Sequence, residues 1–426
     1  MTGRVALSIV LLTAALGGCR STGSGESPVI RISPDAPLVA EPKEASAPSS
    51  LQRAIEAVDG PARIELAPGR YVLQPAMYTD PTCGNCQDPD TPVQVTLGLR
   101  LTGRGIEIVG GSADSVIIHT GAGYGILIED CAECVVRGVT VTGGERDSDG
   151  NATSAAIVVR RSTAAIEECR IRDNIGDSAT VALVVVGIAG IAGREGSDFV
   201  VTGCRIERNS WDGIALYRGA RADIRDNVVD GVDKASGARV GGGRGVGIGL
   251  TWDAEANVEG NLVARYWKGI GVFVDAQATV RHNVVEDILT WGIAYWGAGE
   301  GRAVAVIEEN AIHETGACGA MISRATGGED PPGAFRRNAI VRTGQNPRYD
   351  SGEPYCTQRP IARASVPEGF EMSGNLLFDN RQPGPSDKDE DLIRAHFMER
   401  VSSLAEPLGA SEATRASMFY RLFGGR

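Results

Sequence analysis

Between residues 100 and 380 the chain alternates apolar with small or polar positions in short runs, and the runs recur. The line YWKGIGVFVDA (266–276) has counterparts in SWDGIALYRGA (210–220), RGVGIGLTWDA (244–254) and TWGIAYWGAGE (290–300). A second marker follows each line: NVV at 227, NLV at 261, NVV at 283, NAI at 310 and 338, NLL at 375. The markers at 227, 261 and 283 stand 34 and 22 residues apart. A variable interval with a floor near 22 describes a minimal turn of chain from which insertions bulge. Period-two alternation predicts strands, and helical periodicity is absent here. Propeller blades need about 40–45 residues, so the floor is too short for four strands. A solenoid of parallel strands fits, each coil stacked on the last at about 4.8 Å. The marker asparagines then sit at turns, where their side chains can bond backbone.

Side chains alternate across a strand, so each line divides into two faces. Aligned on the glycine, Ile214, Ile248, Ile270 and Ile293 share a face with Leu216, Leu250, Val272 and Tyr295; this is the expected core. The other face carries Ala215, Gly249, Gly271 and Ala294, then Tyr217, Thr251, Phe273 and Trp296. Small residues beside large aromatics describe a trough with a wall.

The segment LQRAIEAVDGPARIELAPGRYVL (51–73) resembles the usual opening of the pectate-lyase-like superfamily. That resemblance spans roughly 60–380. It implies an all-β chain: a single-stranded right-handed parallel β-helix, or solenoid, with a short N-terminal capping helix. The superfold hosts lyases, hydrolases, epimerases and adhesins, so it leaves function open. Ser49 and Gln52 read as a capping box, with Leu51, Ile55 and Val58 on one apolar face able to cover the first coil. Ser386 with Asp389, then Ile393, Phe397, Val401 and Leu404 at helical spacing, predict a C-terminal helical segment over 386–426.

The first residues are set apart from the fold. Arg4 precedes VALSIVLLTAAL (5–16), too short to span a bilayer, and LGGC follows. This resembles a bacterial lipoprotein signal over 1–19, which implies lipidation at Cys19, export and a membrane anchor. Arg20 in place of aspartate favours the outer membrane. Residues 20–48 read as a flexible tether, and the helix domain as 49–385. An exported chain keeps disulfides, so Cys83-x-x-Cys86 and Cys131-x-x-Cys134 favour disulfides over a four-thiolate zinc site. Cys169 and Cys204 occupy equivalent repeat positions as packing thiols, and Cys318 with Cys356 form a plausible further bridge.

Fifty-six glycines among 426 residues suit many tight turns. The net charge of −12 argues against a nucleic-acid partner, and a monomer that binds polysaccharide is expected instead. Its candidate substrate-binding residues are Trp211, Asp212, Tyr217, Trp252, Trp267, Phe273 and Trp296. Asp253 and Asp275 align on adjacent coils. They could be the carboxyl pair of a retaining glycosidase, hold Ca²⁺ as the only expected cofactor, or simply begin turns. A lyase or epimerase acting on a uronate needs the sugar carboxylate neutralised and a base for the adjacent proton; Asp253, Asp275, Lys268 and Arg244 are the candidate catalytic groups. Lys268 and Asp275 lie about 23 Å apart along an extended strand, so they would serve different subsites. His282 and His313 read as structural, and GGERDSDGN (143–151) as a solvated insertion. A non-catalytic structural or adhesive surface protein is the competing class.

Overall fold

The computed structural model describes residues 27–38, 47–184, 186–231, 245–297, 301–323, 333–346, 358–363, 366 and 368–382. Cys19, Arg244, Cys356 and the expected C-terminal helices lie outside them. The described chain winds as a parallel β-helix with three long sheets, one of twelve strands and two of eleven. One coil shows the plan. Val246–Leu250 joins the third sheet, Glu255–Glu259 the first and Leu262–Ala264 the second, before Lys268–Phe273 returns to the third.

The repeat alignment is the strand register. Ile214 pairs with Ile248, Ile248 with Ile270, and Ile270 with Ile293. These isoleucines and the row Leu216, Leu250, Val272 and Tyr295 are all buried in one continuous core. Burying a column of branched aliphatics stabilises by roughly 1.5–3 kcal/mol per side chain, which locks register because a one-residue slip would expose the whole row.

The marker asparagines form a second buried column. Asn261 Oδ1 accepts the backbone N–H and the Nδ2–H of Asn227, at 3.0 and 2.9 Å. Asn283 does the same for Asn261, Asn310 for Asn283 and Asn338 for Asn310. Each Nδ2 also reaches a carbonyl of the coil before, as from Asn261 to Ile224. The ladder satisfies turn backbone that burial would otherwise leave unpaired. It also tolerates strain, since the residue before each ladder position has positive φ: Asp226, Gly260, His282, Glu309, Arg337 and Gly374. For the non-glycines that conformation costs about 1–2 kcal/mol. His282 thus sits in a turn, its ring 3.2 Å from Glu259 and 2.8 Å from Glu309. Cys169 and Cys204 occupy the same column upstream as free, buried thiols.

The N-terminal helix is Ser50–Glu56, with both bonds of the Ser49–Gln52 capping box formed and Leu51 buried against the first coil. Gln52 also donates to Gln74 and Gly98 carbonyls. Three expectations need correction. Val29–Ile32, inside the expected tether, pairs with Ala62–Leu66 as the edge strand of the first sheet; its four residues are too short for alternation to stand out. An unexpected helix, Ser178–Val184, fills an insertion, where Asp177 accepts the Ala179 and Thr180 N–H groups. The acidic insertion 143–151 is packed as well as solvated: Asp147 accepts the backbone N–H and hydroxyl of Thr96, and Asp149 the N–H of Gln94.

Candidate functional site

Across the outer face of the third sheet, three neighbouring strands, Ile214–Leu216, Val246–Leu250 and Lys268–Phe273, form the floor of a cleft of about 510 Å³. Its lining includes Trp211, Asp212, Tyr217, Trp267, Lys268 and Phe273, six of the residues expected from the repeat alignment. Two glycines make room for it. A Cβ on Gly271 would stand 2.2 Å from the Phe273 ring, and one on Gly245 would stand 2.0 Å from Asp212 Oδ1. A side chain at either position would displace the groups that shape the site.

Asp212 lies at the bottom, 6% exposed. Its Oδ1 accepts the Val246 N–H at 2.6 Å and its Oδ2 the Tyr217 hydroxyl at 3.4 Å. Burial raises its pKa from 3.8 to about 6, while those two bonds and the nearby Lys268 charge pull the other way. Tyr217 is pushed well above its ordinary value, by burial first and then by the Asp212 carboxylate. The cleft therefore holds a carboxyl that changes charge near neutral pH, bonded to a phenol that stays protonated. Such a pairing of shifted groups in a concave site marks acid–base capacity.

The walls are aromatic and cationic. Lys268 Nζ stands 5.7 Å from the Trp267 ring and 4.9 Å from the Trp291 ring. Phe273 and Trp296 meet edge to face at 6.3 Å, and Trp296 meets Trp291 at 5.5 Å. Trp291 is buried with Ala294, Cys318 and Met321. On the opposite side Trp252 carries the Arg218 guanidinium at 4.5 Å from its ring centroid and donates from Nε1 to Asn85 Oδ1 at 3.0 Å. Trp252 and Trp296 are thus part of the surround and not of the lining.

Asn85 does line the cleft, and sequence reasoning missed it because 167 residues separate it from Trp252. It stands in a loop closed by the Cys83–Cys86 disulfide. Cys131 and Cys134 form a second disulfide of their own, so the two pairs do not converge on zinc. Cys318 is also disulfide-bonded.

Asp253 and Asp275 stack on adjacent coils, since the offset of 22 residues holds on both flanks, Leu250 to Val272 and Glu255 to Gln277. Both are exposed turn residues outside the cleft lining. Asp253 has φ 61°, and Asp275 accepts the Arg302 N–H at 3.1 Å. Among the described residues no third acid, histidine or cysteine joins them as a metal cluster. Two carboxylates fall short of the six to eight oxygens calcium takes. Arg244 lies outside the described residues. A second groove, across the first sheet, is lined by small residues such as Ala222, Ala256 and Ala278 with Asp223, Asn257 and Thr279. None of these polar side chains is buried.

The fold and its repeat make this chain a right-handed parallel β-helix. Residues 102–246 match the family model described as a right-handed beta helix region. Among solved structures the chain is similar to the periplasmic alginate epimerase AlgG, at 12% identity and TM-score 0.44 over 72% of this chain and 61% of that one. It is also similar to the A-module of the Azotobacter vinelandii mannuronan C-5 epimerase AlgE4, at 14% identity and TM-score 0.43 over 79% and 94%. A pectate lyase from Bacillus sp. N165 in complex with trigalacturonate follows, at 12% identity and TM-score 0.41 over 86% and 87%. The chain thus spans about 61% of the alginate epimerase, and these likenesses concern the fold alone. None of the curated proteins compared matches it in sequence.

Proposed function

We propose that this protein binds an acidic polysaccharide in the cleft of the third sheet and cleaves it by proton abstraction and elimination. The observation that carries this reading is the Asp212–Tyr217 pair on the cleft floor beside Lys268. Above about pH 6 Asp212 is a carboxylate able to take the proton next to a uronate carboxyl group. Lys268 supplies the positive charge that stabilises the carbanion-like transition state. As the proton leaves, a carbon–carbon double bond forms and the bond to the glycosidic oxygen breaks. Tyr217 donates its proton to that oxygen, and the protonated Asp212 returns one to Tyr217 across their hydrogen bond. Both proton-transfer groups approach from one side, which favours elimination over epimerisation, because inversion needs a donor on the opposite face. The aromatic walls suit the C–H faces of sugar rings.

Incubating the mature chain with alginates and pectates while following absorbance of unsaturated products tests the reaction. Absorbance that rises with wild type and not with Asp212→Asn supports it. Reducing ends without unsaturation would point to hydrolysis. Deuterium uptake from solvent without cleavage would point to epimerisation. Absence of binding and turnover across the panel would return the protein to the structural or adhesive class. We further propose that Cys19 carries a lipid anchor and that the chain is exported to the outer membrane; labelled fatty acid incorporated into wild type but not Cys19→Ala is the expected result.

A further inference from the structure

We infer that the cleft is closed at both ends along the helix axis, so that it takes the terminal residues of a chain or a short oligosaccharide and not the interior of a polymer. This rests on the carbohydrate reading above and names which part of the ligand the site accepts. Toward the N-terminal coils the outer face of the third sheet is already occupied. Val93–Arg104 is itself a strand of this sheet, paired with Tyr124–Ala132, and Ala76–Asp80 is its antiparallel edge partner; the segment joining them, around Cys83, lies over the coils beyond. Val93, Val95 and Cys83 are buried with Tyr124, Leu127, Val158 and Ala192 of the coils beneath.

That cover is pinned. Arg160 pairs with both Asp80 and Glu129, and all three side chains are buried. Arg194, fully buried, reaches Asp80 Oδ2 at 3.1 Å and the Thr82 carbonyl and hydroxyl at 2.9 and 2.8 Å. Tyr124 donates to Asp80 at 3.0 Å. Removing one partner from such a network leaves a buried charge uncompensated, so the hairpin does not swing away cheaply. The Cys83–Cys86 disulfide then shapes the tip that presents Asn85 to the cleft and to Trp252.

Toward the C-terminal coils the buried Trp291 and the Trp296 ring standing against Phe273 form the other end. Between the two ends lie three strands, a span of about 10–15 Å at strand spacing. A polymer running along the axis would meet the stapled loop on one side and the tryptophans on the other. Open polysaccharide grooves gain affinity with each added sugar, whereas a walled cleft stops gaining once it is full.

The test is a length series on the full mature chain, using oligogalacturonates and oligomannuronates from dimer to octamer, with binding read by tryptophan fluorescence. Affinity is expected to rise to about the trimer and then change by no more than roughly twofold. A gain of more than about tenfold between trimer and octamer overturns the inference while leaving the carbohydrate reading standing. Absence of binding to every oligomer overturns both. A variant with Cys83→Ser, Cys86→Ser and Asn85→Gly loosens only the tip that reaches the cleft, while the Asp80, Arg160 and Arg194 contacts still hold the cover behind it, and its affinity is expected to keep rising further along the series than that of the unmodified chain. The unmodified chain decides the question even where that variant fails to fold.

Discussion

Replacing Asp212 with asparagine removes one charge at the floor of the cleft and keeps the side chain's shape. In the folded protein burial holds this carboxyl near 6, against 3.8 in an exposed setting. At 1.36 kcal/mol per pKa unit this is on the order of 3 kcal/mol. The sign follows from proton linkage. Between pH 3.8 and about 6 the folded state binds the proton and the unfolded state has released it, so stability is lost as pH rises through that window. Above pH 6 the full cost is present; below the unfolded value it vanishes. Asparagine never ionises and can still accept the Val246 N–H through Oδ1. Asp212→Asn is therefore expected to unfold later than wild type at pH 7–8, by up to about 3 kcal/mol, with the gap closing near pH 4, while turnover is lost. Parallel denaturation curves of the two proteins across pH 4–8 isolate this group, because every other carboxylate is common to both. A destabilised variant with the same deficit at every pH would show that the carboxylate is a scaffold element, and undiminished turnover would remove it from the chemistry.

Three further outcomes follow. Lys268→Met should weaken binding of an anionic oligosaccharide by about tenfold or more and move the acidic limb of the activity profile to higher pH, since the lysine charge lowers the Asp212 pKa; an unmoved limb in the pH–rate profile counts against their coupling. Asn283→Ala removes an acceptor for two N–H groups of Asn261 and a donor to the Val258 carbonyl, so a loss of about 2–4 kcal/mol is expected by chemical denaturation, and a loss below about 0.5 kcal/mol would show the ladder to be incidental. Asp253→Asn combined with Asp275→Asn should leave both turnover and calcium response unchanged; loss of either in a product-absorbance assay would move the chemistry to that turn.

Position in the repeat was legible in the linear pattern. A strand's period of two and the stacking of near-identical coils mean that alignment on a glycine already assigns Ile270 to the interior and Phe273 to the outside. The same alignment put Asp253 above Asp275, and it was sound as geometry. It could not say which stacked positions are wet turns and which form a cleft floor, because that depends on what else covers the sheet.

The amino-acid sequence by itself therefore determined the solenoid, its register, its capped first coil and the outward face of Tyr217 and Phe273. Local periodicity encodes these, and each coil repeats the previous solution. Strict alternation would have turned Asp212 and Lys268 inward, and only the structure brings them to the cleft. Only the tertiary structure decided that Asp212 is buried against Tyr217 and Val246, that its proton affinity is shifted toward neutrality, and that Asn85 arrives from a distant stapled loop. Desolvation is a property of everything that surrounds a group, and the surroundings of Asp212 come from successive coils, through Tyr217, Val246 and Lys268.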